Sequence, residues 1–199
     1  MTYRRDPDRF TKRAKSEGFA ARSVYKLEEI DQRTKLLRPG MRVVDLGASP
    51  GSWTQYAGPK LGSKGRLVAV DLVPLRVGIL PIVTFLEMDI YGDLEPLERE
   101  GPFDLVLSDM APKTTGISYG DAARSHELVE RALDVCERVL VKDGKLVAKI
   151  FLGEGFEQVR NRMRKLFDTV KLIKPEASRK ESVETFLYGI GFRRAEPAT

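Results

Sequence analysis

Seven apolar runs of strand length, separated by amphipathic stretches of helix length, leave this chain few ways to fold. The spacing predicts strands over Arg42–Leu46, Arg66–Val70, Ile82–Leu86, Phe103–Ser108, Lys145–Phe151, Thr169–Ile173 and Thr185–Ile190. Short runs that are apolar without alternation suit strands buried on both faces. Helical spacing appears at Ser23–Arg33, through Val24, Leu27 and Ile30, and Pro39-Gly40 ends that stretch. Further helices are expected at Trp53–Leu61, Asp121–Leu140 and Gly155–Phe167. The clearest of these carries Leu128, Val129, Ala132, Leu133, Cys136, Val139 and Leu140 on one stripe. Strand–helix alternation along the chain predicts an α/β fold: a doubly wound, Rossmann-like, seven-stranded and mostly parallel sheet with helices on both faces. No repeat, low-complexity tract or linker divides it, so residues 21–199 are read as one domain behind a basic N-terminal arm of residues 1–20.

In such sheets a ligand sits beyond the carboxyl ends of the strands. Those ends carry Asp45, Asp71, Asp89, Asp109 and Lys149. The first strand falls into "GASPGSW", with glycines at Gly47 and Gly51, and the predicted helix from Trp53 follows. The loop lacks the GxGxxG spacing of dinucleotide binders, and Pro50 removes a backbone donor where a pyrophosphate would want one. A nicotinamide-dependent oxidoreductase is therefore disfavoured. Asp71 closes the second strand, where an acid can accept both hydroxyls of a ribose, and Asp89 is placed to meet an adenine amino group. An acidic pocket without a phosphate cradle suits a cationic nucleoside cofactor, and S-adenosylmethionine has that chemistry.

Charge is unevenly spread. Residues 1–26 and 160–199 each sum to +5, and the intervening residues to −5. Two basic ends are what a polyanion such as RNA would use. No run of apolar residues is long enough for a membrane span, and the basic start lacks the apolar segment of a secretory signal. A single cysteine, Cys136, excludes an internal disulfide framework. These features are read as those of a cytoplasmic protein. His126, the lone histidine, lies in a predicted helix with no Cys/His/Asp cluster beside it, so it is read as packing; no metal site is expected.

The stretches "VVDLGASPGSWTQY", "DLVP", "LSDMAP", "AKIFLGEGF" and "KPEASRKESVETFLYG" resemble, in this order, the motifs of the FtsJ/RrmJ (RlmE) family of ribose 2′-O-methyltransferases. The resemblance covers about Ala21 to Tyr188. It implies a methyltransferase sheet, S-adenosylmethionine as cofactor and methylation of a ribose 2′-hydroxyl in RNA. The family's catalytic Lys-Asp-Lys-Glu tetrad falls on Lys26, Asp109, Lys149 and Glu184, with Lys149 as proton acceptor. Its cofactor contacts fall on Gly51, Trp53, Asp71, Asp89 and Asp109. Ser49 and Ser52 depart from the alanine and glycine common in the family. A uridine of large-subunit ribosomal RNA is the expected target, with the RNA or the large ribosomal subunit as partner and the enzyme a monomer. The tRNA anticodon loop is the alternative substrate, and a catalytically silent RNA-binding module the alternative of another class. Arg160, Arg162, Arg164, Lys165 and the 171–180 stretch, together with the arm, are expected to contact RNA.

Overall fold

The computed structural model describes residues 9–112, 118–178 and 182–193. In chain order the elements are α1 (Arg9–Ser16), α2 (Val24–Thr34), β1 (Arg42–Leu46), α3 (Ser52–Leu61), β2 (Arg66–Asp71), β3 (Val83–Glu87), α4 (Glu95–Glu100), β4 (Phe103–Ser108), α5 (Ser118–Val139), β5 (Leu140–Phe151), α6 (Phe156–Leu166), β6 (Phe167–Ile173) and β7 (Glu184–Phe192). All seven expected strands are present, within two residues at most ends. β5 is the exception, because it begins directly after α5 at Leu140. The short α4 and the α1 helix inside the basic arm carried too little periodicity to be foreseen.

The strands form one sheet in the order β3-β2-β1-β4-β5-β7-β6. β1 to β5 are parallel and β7 runs antiparallel between β5 and β6. The inner strands bury both faces, and their alternation sorts side chains between two apolar layers. Val44, Leu46, Val68, Val70, Val106 and Ala148 face the layer of α4, α5 and α6. Val43, Leu67, Ala69, Leu105, Leu107, Val147 and Phe186 face the layer of Leu27, Ile30, Trp53 and Ala57 from α2 and α3. From β1 the chain winds outward to β2 and β3, then returns past β1 to add β4 and β5. The order therefore reverses between β1 and β4, and the crevice beyond their carboxyl ends is the place such a sheet offers a ligand. No described helix is long and apolar enough to cross a membrane.

Candidate active site

A cavity of about 470 Å³ opens at this reversal point, lined by residues that include Gly47, Asp71, Asp89, Tyr91, Asp109, Met110 and Leu128. Three carboxylates face it, and among the described residues no cationic side chain lines it. β1 delivers Gly47, β2 delivers Asp71, β3 leads to Asp89 and β4 to Asp109, which is the direct consequence of parallel strands ending on one edge. Gly47 is needed twice over. Its φ is +73°, and a Cβ there would lie 2.6 Å from Met110 Cγ. A side chain would both strain the backbone and close the crevice.

Asp71 shapes the loops as well as the cavity. Its Oδ2 accepts the Ser49 N–H at 2.9 Å and its Oδ1 the Val73 N–H at 3.0 Å. Each carboxylate oxygen retains a lone pair for a ligand hydroxyl. Asp89 Oδ1 accepts the Tyr91 N–H at 2.9 Å in the same manner.

Gly51 and Trp53, expected at the cofactor, do not line the cavity. Gly51 acts through conformation: its φ is +114° at the N-cap of α3, and a Cβ would come within 2.4 Å of Val77 Cγ2. Trp53 is 2% exposed and packs on Phe186 at 5.8 Å between ring centroids, while its Nε1 donates to the Ser23 carbonyl at 2.9 Å. Because α3 turns this ring toward β7, the indole is a pillar of the α2/α3 layer.

Beneath the loop lies Asp45, fully buried. Its Oδ2 accepts the Thr54 hydroxyl at 2.9 Å, and its Oδ1 has no hydrogen-bond partner among the described residues. Burial pushes its pKa up to about 7, opposed by the Thr54 bond and helped by the charges of Asp109 and Asp71.

Two largely buried ion pairs follow, and Asp109 of the first lines the cavity. Lys149, 6% exposed, donates from Nζ to the Asp109 carbonyl at 2.5 Å and to its Oδ1 at 2.9 Å. Lys26, 9% exposed, meets Glu184 Oε1 at 2.6 Å, and Ser178 Oγ donates to the same oxygen at 3.0 Å. Strand register explains the convergence. Lys149 lies opposite Phe186 and Phe151 opposite Glu184 in the β5/β7 ladder. Lys149 and Glu184 are thus diagonal neighbours on the sheet face that α2 covers, and Lys26 projects from the first turn of α2. Asp109 follows Ser108, the partner of Ala148 at the end of the β4/β5 ladder. All four residues expected to form a tetrad are brought to one edge, as two pairs.

Sequence reading missed the side chains that hold β5 where β4 ends. Ser108 is the last β4 residue paired with β5, so the outer edge of β5 beyond Ala148 needs other partners. α5 supplies them. Phe151 N donates to Ser125 Oγ at 3.0 Å, and His126 Nε2 bonds the Phe151 carbonyl at 2.9 Å. A carbonyl can only accept, so Nε2 carries the proton. His126 is therefore a clamp on the strand that carries Lys149, and only adjacency in the fold reveals it. No His/Cys/Asp/Glu group able to hold a metal occurs among the described residues.

The α6 arginines expected to meet RNA have acidic partners instead. Arg162 lies within 2.5–2.7 Å of Glu130, Asp134 and Glu137 of α5, and Arg160 and Arg164 pair with Glu157. Arg162 is thus offset by three carboxylates, whereas Arg160 and Arg164 share the one exposed carboxylate of Glu157. Arg179 and Lys180 lie outside the described residues, as do residues 1–8.

Residues 19–192 match the family model of FtsJ-like methyltransferases. The chain is 51% identical to a Bdellovibrio bacteriovorus protein named ribosomal RNA large subunit methyltransferase E, over 96% of this chain and 98% of that one. It is 50% identical to a Sorangium cellulosum protein of the same name, over 92% and 87%. Its fold matches a solved Plasmodium falciparum structure assigned as a ribosomal RNA methyltransferase, with TM-score 0.76, 24% identity, and coverage of 87% and 98%. The fold also matches Aeropyrum pernix fibrillarin, solved with natively bound S-adenosyl-L-methionine, with TM-score 0.55, 12% identity, and coverage of 78% and 68%.

Proposed function

The chain belongs to the FtsJ-like methyltransferase family, and from that premise we propose that it transfers a methyl group from S-adenosylmethionine to a ribose 2′-hydroxyl of large-subunit ribosomal RNA. The identity of about half of all residues to relatives named for that substrate supports the RNA class. The observation that carries the chemistry is the meeting of the Lys149–Asp109 and Lys26–Glu184 pairs beside an acid-lined cavity. The enzyme acts as a monomer in the cytoplasm.

The cavity fits the cofactor's chemistry: three acids, with no cation among the described lining residues, suit a positively charged nucleoside better than a polyphosphate. Asp71 would hold its ribose, Asp89 its adenine edge, and Asp109 its charged end. Bound there, S-adenosylmethionine supplies a methyl group already activated by a positive sulfur. What remains for the protein is alignment and proton handling. Holding oxygen and methyl in line is worth as much as about 7–11 kcal/mol in the best cases.

Asp109 spans the two tasks, since its carboxylate lines the cavity while bonding Lys149. With both bonds to Asp109 made, a neutral Lys149 amine keeps its lone pair for the hydroxyl proton, which is general-base catalysis. An ammonium would keep a third N–H for the developing alkoxide, which is electrostatic stabilisation. Lys149 Nζ thus serves the 2′-oxygen in either protonation state. Lys26, held by Glu184, positions the ribose or its adjoining phosphate, and Ser178 keeps Glu184 in place.

The test is transfer of labelled methyl from S-adenosylmethionine to unmodified ribosomal subunits, free ribosomal RNA and tRNA in parallel. Label should enter a ribose of the large-subunit RNA, and Lys149→Ala should lower the rate by about 10²–10⁴ while leaving cofactor binding intact. Label confined to tRNA would overturn the substrate. No label with any RNA would overturn the catalytic reading.

A further inference from the structure

The chemistry above leaves one buried titratable group unused. Asp45 is fully buried on β1 beside the apolar Val43, Val44 and Leu46, and its carboxylate accepts the Thr54 hydroxyl at 2.9 Å. Its Oδ1 has no partner among the described residues. A buried carboxylate held by one neutral donor favours its protonated form, and its pKa rises to about 7. Packing alone would be served as well by an apolar residue, so a buried acid with an orphaned oxygen calls for another reason.

Strand register places the group against the cavity. Asp45 lies opposite Ala69 of β2 and Leu107 of β4. Two residues further along each chain come Gly47, Asp71 and Asp109, and all three line the cavity. Asp45 is therefore one step beneath that lining, about 7 Å back along the strand, and Gly47 above it carries no side chain. Asp71 and Asp109 act on it with like charge. Lys149 of β5 is bonded to Asp109, Lys26 of α2 is paired with Glu184, and α3 brings the uncharged Thr54. A cation entering the cavity would favour the ionised form of Asp45. S-adenosylmethionine is such a cation, and transfer of its methyl to the ribose oxygen leaves a neutral thioether.

We propose that Asp45 senses this change of charge: it gives up its proton to solvent when S-adenosylmethionine occupies the cavity and takes one back after methyl transfer, so that the donor is held and the spent cofactor released. The proposal rests on the S-adenosylmethionine reading above. Asp45 acts through the field across Gly47 and touches no reacting atom, so it sets specificity and is not a catalytic residue. Across about 7–10 Å, at an effective dielectric constant of about 20, one unit charge changes an equilibrium by about 15–50-fold. The ionised acid attracts the cation, so preference for the donor over the spent cofactor grows as pH rises through about 7.

The test is calorimetric titration of the purified protein with S-adenosylmethionine and with S-adenosylhomocysteine across neutral pH, in two buffers of different ionisation enthalpy. At about pH 7, Asp45 of the wild type should release about half a proton when the methylated form binds and almost none with the other. The ratio of the two affinities should rise about 5–10-fold between about pH 6 and pH 8. Asp45→Asn should lack both effects, and the ligands' own amino groups are common to both proteins. Thr54→Val keeps the acid but removes the bond that favours its ionised form, so it should move the rise to higher pH; it decides the question if Asp45→Asn does not fold. Equal proton release and equal pH dependence in wild type and Asp45→Asn, or an unmoved rise in Thr54→Val, would overturn the coupling alone. Failure of wild type to bind S-adenosylmethionine would overturn the cofactor reading and the coupling with it.

Discussion

Replacing Asp45 with asparagine separates the cost of a buried carboxylate from everything else in the crevice. Asp45 is fully buried, one of its oxygens lacks a partner, and its pKa is pushed up from 3.8 to about 7. A shift of about three units corresponds to about 4 kcal/mol between the two protonation states. The sign follows from the direction of the shift. Below about pH 4 the group is protonated in both folded and unfolded chains and costs nothing. As the pH rises toward 7, the unfolded chain ionises it and the folded chain does not, so stability falls, and above about 7 the loss is complete. An amide has the shape of the protonated acid and can accept the Thr54 hydroxyl, but its NH2 leaves two N–H donors unpaired where the acid leaves one O–H, at a cost of about 1 kcal/mol or more. Asp45→Asn should thus be about 1 kcal/mol less stable than wild type near pH 4 and about 3 kcal/mol more stable near pH 8. Urea unfolding of both proteins at several pH values reads the difference directly. Titrating groups other than Asp71 and Asp109, whose charges couple to Asp45, are common to both proteins and cancel. A stability difference that stays constant from pH 4 to 8 would refute the reasoning.

Gly51→Ala places a Cβ 2.4 Å from Val77 at a φ of +114°, and should lower stability by about 1–3 kcal/mol. Calorimetric Tm values for Gly51→Ala alone and with Val77→Ala should show partial recovery in the double variant, because the strained φ persists. His126→Ala removes the bond to the Phe151 carbonyl, costing about 1–3 kcal/mol. It should also lower kcat more than it changes cofactor affinity, since the end of β5 carries Lys149; an unchanged kcat would reduce His126 to simple packing.

The strands were legible because each is a short apolar run, and a sheet buried on both faces requires that composition in any context. Asp45, Asp71, Asp89, Asp109 and Lys149 were legible as a group for a related reason: parallel strands bring their carboxyl ends to one edge. The residues that organise this edge from elsewhere were not. Glu184 and Lys26 are far apart in sequence, and no local pattern distinguishes either from a surface charge; the β5/β7 register and the packing of α2 bring them together. Trp53 looked like a pocket wall because it follows the glycine loop, yet the rotation of α3 points its ring at Phe186. The basic ends of the chain suit a polyanion partner by net charge, but a solvated basic face has the same composition. Whether each cation is available depends on which acids the fold sets beside it, as α5 sets Glu130, Asp134 and Glu137 beside Arg162. Period and composition act over neighbours in sequence and so determined the sheet. Pairing of charges acts over neighbours in space, and only the tertiary structure decided it.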